Sequence, residues 1–143
     1  MASQQEVSRP KMNQVKPSKE AMLICDQIIN EAVTNKKSLV GIFEQICAEK
    51  LPCTHPDLSV YVKFTGALGD YNFELVLVDL TTDQVIGKAA LPTQRVPDKL
   101  GSYELVFNLM NLKFQNAGKY EFRIFADGDL FGIKSFSVIQ RPS

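Results

Sequence analysis

The chain has 143 residues, enough for one domain that buries a core without disulfides or metal ions. Its 16 basic residues balance its 16 acidic residues, so the formal net charge is zero. That balance argues against a main function on nucleic acid or on an anionic membrane. No apolar run has the length of a transmembrane helix, and the N-terminal residues lack the apolar stretch of a secretory signal. We therefore expect an intracellular, cytoplasmic protein.

The N-terminal residues MASQQEVSRPKMNQVKPSK are polar, include two prolines and show no apolar periodicity. This composition predicts a flexible leader over residues 1–19, followed by one domain over residues 20–143. The leader is mildly basic, with Arg9, Lys11, Lys16 and Lys19 against Glu6. It is either a solvated tail or an arm that docks on a partner or a neighbouring subunit.

The N-terminal third of the domain is ambiguous, because KEAMLICDQIINEAV and SLVGIFEQICA each fit a helix or a strand. In the second segment Gly41 and the β-branched residues Val40, Ile42 and Ile46 favour a strand. We predict a pair of strands joined near TNKKS.

Apolar and polar residues alternate with a period of two after residue 57. The clearest segments are LSVYVKFTG (58–66), YNFELVLVD (71–79), SYELVFNL (102–109) and KYEFRIFA (119–126), and VIGKAAL fits an additional strand. Such alternation puts the apolar side chains on one buried face of each strand. Gly, Pro, Asn and Asp separate the runs at intervals too short for crossover helices. The pattern predicts an all-β, antiparallel sandwich of about seven to nine strands.

The last strand breaks its alternation, because Phe131 and Ile133 are in one phase and Phe136 and Val138 in the other. A regular strand would turn Lys134 inward. We predict a β-bulge within residues 132–135 that restores the phase.

The motif DGD, residues 127–129, raises two interpretations. Asp127, Gly128 and Asp129 lie between two alternating apolar runs, which is a strong signal for a hairpin turn. The alternative is a calcium site that gathers these aspartates with others from loops, namely Asp70, Asp79 and Asp83. Position twelve of an EF-hand loop counted from Asp127 is Val138, which is not a ligand. We therefore predict a structural turn, no metal site and no cofactor.

Three cysteines, Cys25, Cys47 and Cys53, are an odd number for a disulfide framework, and each lies in or beside an apolar run. We expect all three to be buried, reduced and free. Cys53 and the only histidine, His55, are two residues apart in LPCTHPD. This spacing completes neither a zinc motif nor a direct hydrogen-bonded pair, so we predict a loop there and not a site.

The segment QNAGKYEF resembles the corner of immunoglobulin-like sandwiches, in which a tyrosine hydroxyl bonds back to nearby backbone. The matching residues are Gly118 and Tyr120. The chain has no Trp, and Phe122 stands where antibody-type domains have a cysteine, so the likeness is to the architecture. The pieces AMLICDQII, SLVGIFEQI and GKYEFRIFADGDLFG also resemble a bacterial family known only as a domain of unknown function. That resemblance implies a compact β-sandwich and no particular activity.

The sequence contains no nucleophile elbow, P-loop, dinucleotide-binding or zinc-protease motif, so we expect no enzyme. The outward apolar residues Val76, Val78, Val106 and Phe125 need a second cover, from the domain itself or from a partner. We predict an interaction surface at Phe125, Phe131 and Arg123, and a protein partner or self-association. The alternatives are a small-ligand or carbohydrate-binding sandwich, with or without calcium, and an enzyme with its site near His55.

Overall fold

The computed structural model describes residues 15–141, and within them the chain forms eleven β-strands and no helix. In chain order the strands are β1 (Ser18–Asn30), β2 (Lys37–Ile42), β3 (Gln45–Ala48), β4 (Cys53–Thr65), β5 (Gly69–Tyr71), β6 (Phe73–Asp79), β7 (Gln84–Ala90), β8 (Gln94–Val96), β9 (Tyr103–Phe114), β10 (Gly118–Ala126) and β11 (Asp129–Gln140). The prediction of an all-β fold is confirmed.

Two sheets pack face to face as an immunoglobulin-like sandwich. The four-stranded sheet has the order β2-β1-β4-β9, the five-stranded sheet has the order β3-β11-β10-β6-β7, and β5 pairs with β8 in a short ladder. All pairings are antiparallel except that of β3 with β11, which is parallel. The predicted sandwich is thus confirmed, with one parallel edge strand that the alternation pattern did not indicate.

The core lies between the sheets and is built from the side chains that the period of two placed inward. On β4 these are Leu58, Val60, Val62 and Phe64, and on β10 they are Tyr120, Phe122, Ile124 and Ala126, all at most 2% exposed. Burial of each large apolar side chain stabilises the fold by about 1.5–3 kcal/mol. The alternation of apolar and polar residues therefore identifies the buried face of each of these strands.

The two N-terminal strands pair as predicted and not as helices. β1 and β2 form an antiparallel hairpin with Cys25 opposite Ile42 and Asn30 opposite Lys37. The connecting loop contains Asn35 at a φ of 59°, a conformation that asparagine tolerates well. The segment SLVGIFEQICA is divided between β2 and β3, which lie in different sheets.

The start of β1 differs from the predicted domain boundary. Ser18 and Lys19, assigned to the leader from composition, pair with Thr65 and Phe64 of β4. Just before the strand, the carbonyl of Val15 accepts a hydrogen bond of 2.6 Å from the Tyr71 hydroxyl. The rest of the predicted leader, residues 1–14, lies outside the described residues.

The bulge in the last strand lies slightly earlier than predicted. Ile124 pairs with Gly132 and Phe125 pairs with Leu130, so Phe131 is the extra residue of β11. Lys134 consequently stays in the inward phase, opposite Phe122. Because β11 lies beside the edge strand β3, the Lys134 side chain extends to the edge of the sheet. Its Nζ lies there 3.0 Å from Glu44 Oε2.

Candidate functional site

The first hairpin, formed by β1 and β2, lies over the outer face of the four-stranded sheet. β2 and β9 are the opposite edges of that sheet, yet Lys37 Nζ of β2 lies 3.0 Å from Glu104 Oε1 of β9. Ile28 of β1 also shares the lining of a pocket with Ser59 and Asn108 from β4 and β9. The sheet therefore curls until its hairpin covers its own outer face.

The covered face is partly polar, and its polar groups are satisfied. Tyr61 is 9% exposed and donates a hydrogen bond to Glu104, the residue that also binds Lys37. Ser59 is 4% exposed, and its hydroxyl donates to Asn108 Oδ1 at 2.8 Å. We call Lys37, Tyr61 and Glu104 the hairpin latch, because they join the hairpin to the sheet beneath it.

The latch shifts the pKa values of its two acidic groups, Glu104 and Tyr61, in opposite directions. Burial works to raise the pKa of Glu104, but hydrogen bonds from Tyr61 and Lys37 and the charges of Lys37 and Lys63 hold that pKa below its usual value. Burial, and then the hydrogen bond and charge of Glu104, raise the pKa of Tyr61. At neutral pH the latch is therefore a carboxylate held between a phenol and an ammonium group.

The same hairpin carries exposed apolar side chains. Val40 pairs with Gln27 and Ser38 with Ile29, so the side chains of Val40 and Ile29 lie in one phase of the hairpin. Lys37, which pairs with Asn30, lies in the other phase. The large apolar residues of the hairpin that remain exposed are Ile29 at 47%, Val33 at 91%, Val40 at 44% and Ile42 at 55%. We call these four residues the hairpin platform. Isolated exposed apolar side chains are ordinary, but four on one hairpin form a candidate contact surface.

Position in the sheet strengthens this candidate. Within residues 15–141, β2 has a neighbouring strand on one side only. The other side therefore carries backbone amide and carbonyl groups that are open to pairing with a further strand. The platform thus combines exposed apolar side chains with an open strand edge.

Sequence reasoning missed the platform because it left both N-terminal segments ambiguous between helix and strand and assigned no face to the strand pair that it predicted. A usable signal was present, since Ile28 with Ile29 and Leu39 with Val40 are adjacent apolar pairs. Adjacent residues of a strand point to opposite faces, so such pairs require cover on both sides. The structure covers Ile28 and Leu39 only partly and leaves their neighbours exposed.

The interaction surface predicted at Phe125, Phe131 and Arg123 is not assembled as one patch. Phe125 is half-buried and lies beside Glu74 of β6 on the outer face of the five-stranded sheet. Phe131 instead packs into the core, with its ring centroid 6.0 Å from Phe64 and 5.9 Å from Phe73. The expectation of an exposed aromatic pair is therefore corrected, because the bulge turns Phe131 inward. A partner contact at Phe125 stays a prediction.

Arg123 has a partner within the domain. Its Nε lies 2.6 Å from Glu121 Oε2, and the two side chains are 32% and 13% exposed. The register places Val76 beside Arg123 and Val78 beside Glu121, and both valines are buried. The second cover that Val76 and Val78 were expected to need is thus supplied by the domain itself, since long side chains of the same sheet shield them.

The predicted corner is confirmed in its geometry. Tyr120 is fully buried, and its hydroxyl donates to the Asn116 carbonyl at 2.6 Å. Gly118 has a φ of 139°, and a Cβ there would lie 2.7 Å from Thr81 Oγ1. Burial, followed by the charge of Asp79, raises the pKa of Tyr120, so the hydroxyl remains a donor.

The motif DGD forms the predicted turn. Asp127 and Gly128 connect β10 to β11 with φ values of 49° and 87°, as a type I′ hairpin requires. Asp127 also joins the turn to the residue just before β6, because its Oδ1 accepts the Asn72 N–H at 2.9 Å. Among residues 15–141 no group of three or more His, Cys, Asp or Glu side chains is placed to hold a metal ion.

Cys53 and His55 lie in strand β4, so the loop predicted there is wrong, because this segment pairs with β9. Cys25 lies in β1 and Cys47 in β3. Cys25 is buried and Cys53 half-buried, but Cys47 is exposed, so the expectation that all three are buried is wrong for Cys47. All three thiols are free. His55 shares an open cleft of about 300 Å³ with Asp26 and Cys47, and its ring lies 5.8 Å from that of Phe43.

None of the described residues belongs to a helix long and apolar enough to cross a membrane.

Comparison with known families matches residues 20–139 to DUF6941, a family of unknown function. The chain belongs to that family. The resemblance to a domain of unknown function is therefore confirmed, and the DUF6941 match begins within β1 and ends within β11. No curated protein matches the chain.

Solved structures show weak likeness to this DUF6941 member. An alkylpurine DNA glycosylase from Pseudomonas fluorescens bound to DNA with an abasic site analogue is 9% identical, with a TM-score of 0.49, over 82% of this chain and 30% of that one. A β-glucosidase from Listeria innocua in complex with gluconolactone is 11% identical, with a TM-score of 0.47, over 92% and 17%. An immunoglobulin-like protein from Pseudomonas aeruginosa is 14% identical, with a TM-score of 0.40, over 88% and 98%. The chain spans less than a third of the first two proteins, and these likenesses carry no argument about function.

Proposed function

We propose that this chain is a non-enzymatic protein-interaction module of the bacterial cytoplasm, and that copies of it associate through the hairpin platform. The observation that carries the proposal is the exposure of Ile29, Val33, Val40 and Ile42 on the hairpin whose strand β2 forms an open sheet edge. The absence of catalytic motifs from the sequence supports a binding role. Three free cysteines support a reducing compartment.

A second copy is the partner that the charges favour. The formal net charge of the chain is zero, so copies do not repel one another as strongly charged proteins do. An edge strand also offers the same open backbone on both copies, which is what a symmetric, self-complementary interface needs. We prefer this function to calcium-dependent carbohydrate binding, because Asp127 and Asp129 belong to a hairpin turn.

The proposal is tested by light scattering of the purified protein across a range of concentrations. The parent is expected to have a mass at least twice the 16.0 kDa of one chain. Val40→Glu and Ile42→Glu, which place a charge on the platform, should shift the protein toward the monomer. The matched control is Val85→Glu on the edge strand β7, since Val85 is 52% exposed and Ile42 is 55% exposed.

A parent that stays monomeric at every concentration would refute self-association. Equal dissociation by the β7 control would refute the platform as the interface. Thermal unfolding of each variant, measured in parallel, distinguishes a lost interface from a lost fold.

A further inference from the structure

The sandwich is open along the side where β7 faces β9. A cleft of about 170 Å³ lies between these edge strands. Its floor is formed by Leu75, Leu77 and Phe122, which are all at most 2% exposed. The cleft therefore ends against apolar side chains of the core.

Small residues on β7 leave this space unfilled. The inward positions of β7 opposite Leu77 and Leu75 are occupied by Gly87 and Ala89. A Cβ added to Gly87 would lie 3.8 Å from the Leu77 Cβ, which is ordinary van der Waals contact. Because protein interiors are normally packed to the density of organic crystals, room of this kind beside a core is unusual.

A kink in β9 forms the other wall. Asn111 has a φ of 55° and lies between Met110 and Leu112, which pair with Asp57 and His55 of β4. The kink leaves Leu112 half-buried in the wall of the cleft and Met110 68% exposed at its mouth. A methionine side chain is flexible and adapts to the shape of an apolar guest.

No charged side chain points into the cleft from β7. Lys88 contributes to the lining, but it pairs with Val76, whose side chain lies on the outer face of the sheet. The lysine ammonium therefore points away from the core. This arrangement favours a neutral guest over one with a carboxylate or phosphate.

We propose that the cleft between β7 and β9 binds a small, neutral, apolar molecule of the size of one six-membered ring or a short alkyl chain. The volume supports this size, because an apolar cavity of about 150 Å³ in another protein holds benzene. The lining supports the chemistry, since Leu75, Leu77 and Phe122 offer only carbon to a guest. This site is separate from the hairpin platform.

Toluene is the probe for the test, with methyl signals of isotopically labelled Leu, Met, Ile and Val residues recorded by NMR. Toluene should produce saturable shifts at Leu75, Leu77 and Met110. Gly87→Leu and Ala89→Leu each fill the cleft and should weaken toluene binding by about tenfold or more. The matched control is Ala90→Leu, which is exposed beside Glu74 on the outer face and should bind toluene as the parent does.

Two outcomes would overturn the inference. The first is the absence of saturable shifts at the cleft residues of the parent, including the case in which toluene shifts only platform residues. The second is unchanged binding by a folded Ala89→Leu or Gly87→Leu variant. Light scattering of the same samples reports self-association. A cleft that binds no toluene is therefore distinguished from a protein that does not self-associate.

Discussion

At the scale of single residues, Tyr120 connects the corner of the sandwich to its core through both its ring and its hydroxyl. The ring centroid lies 5.0 Å from that of Phe114 and 5.7 Å from that of Phe136. The hydroxyl bonds the carbonyl of Asn116, four residues earlier in the chain. The two parts of the side chain therefore contribute to stability by different mechanisms, and substitutions can separate them.

Replacement of Tyr120 by alanine should lower the free energy of unfolding by about 3–5 kcal/mol, because it leaves a large cavity. Tyr120→Phe keeps the ring and should cost about 1 kcal/mol through the lost hydrogen bond. Urea denaturation of both variants measures the two values. An alanine variant as stable as the parent would contradict the assignment of Tyr120 as a buried corner residue.

The turn at residues 127–129 depends on the backbone of Gly128. Its φ of 87° strains a β-branched residue, and a Cβ there would meet nothing within 4 Å, so conformation alone sets the cost. Gly128→Val should destabilise by more than about 1 kcal/mol. Asp129→Asn is the control and should change stability by only about a few tenths of a kcal/mol.

Calcium binding is the alternative to a purely structural role for the same turn, and it can be tested directly. Neither calcium nor a chelator should move the melting temperature of the parent. A bound ion would stabilise the fold by roughly 2.7 kcal/mol at a hundredfold excess over its dissociation constant. A calcium-dependent shift that Asp129→Asn abolishes would show that DGD is a metal site.

The three cysteines should react with a thiol reagent in the order of their exposure. Cys47 is exposed and should react first, whereas burial raises the pKa of Cys25 and should make it slowest. Three thiols should be titrated in denaturant without reductant. A count of one would reveal a disulfide and remove the support for a reducing compartment.

At the scale of elements, the hairpin latch makes stability depend on pH in a defined direction. The folded pKa of Glu104 is below its usual value, so folding favours the ionised carboxylate. Its contribution is complete above the unfolded pKa of about 4.3 and is lost as pH falls through the lower folded pKa. Glu104→Gln should therefore reduce the loss of melting temperature between about pH 5 and pH 3.

The control for the latch is Glu49→Gln, at an exposed position outside it. This variant should keep the pH dependence of the parent. Equal slopes for the parent and Glu104→Gln would mean that the latch does not stabilise the hairpin. Melting curves across this pH range give both slopes.

Elements with one buried face were predictable because their period of two is a local property of the chain. Strands β4, β6, β7, β9, β10 and β11, the corner at Tyr120 and the DGD turn follow from residues close together in sequence, whereas the short strands β5 and β8 were not predicted. The bulge was placed imprecisely, since Gly132 or Ser135 would restore the alternation as well as Phe131 does. Only the packing of Phe131 against Phe64 and Phe73 selects the position.

At the scale of the whole molecule, the candidate site depends on contacts that no local pattern contains. Lys37 and Glu104 are 67 residues apart, and their contact shows that the hairpin covers the sheet. Which face of β2 becomes the platform follows from that contact. The sequence alone therefore predicts the sandwich but not the surface that we assign to association.

Amide hydrogen exchange at low and high protein concentration tests that surface most directly. Association through the platform should slow exchange of the outward amides of β2 at high concentration, because a second copy then covers or pairs with them. Exchange along β7, an edge strand of the five-stranded sheet, should stay the same. Concentration-dependent protection of β7 without β2, or no dependence in either strand, would contradict the assignment of the hairpin platform as the interface between copies.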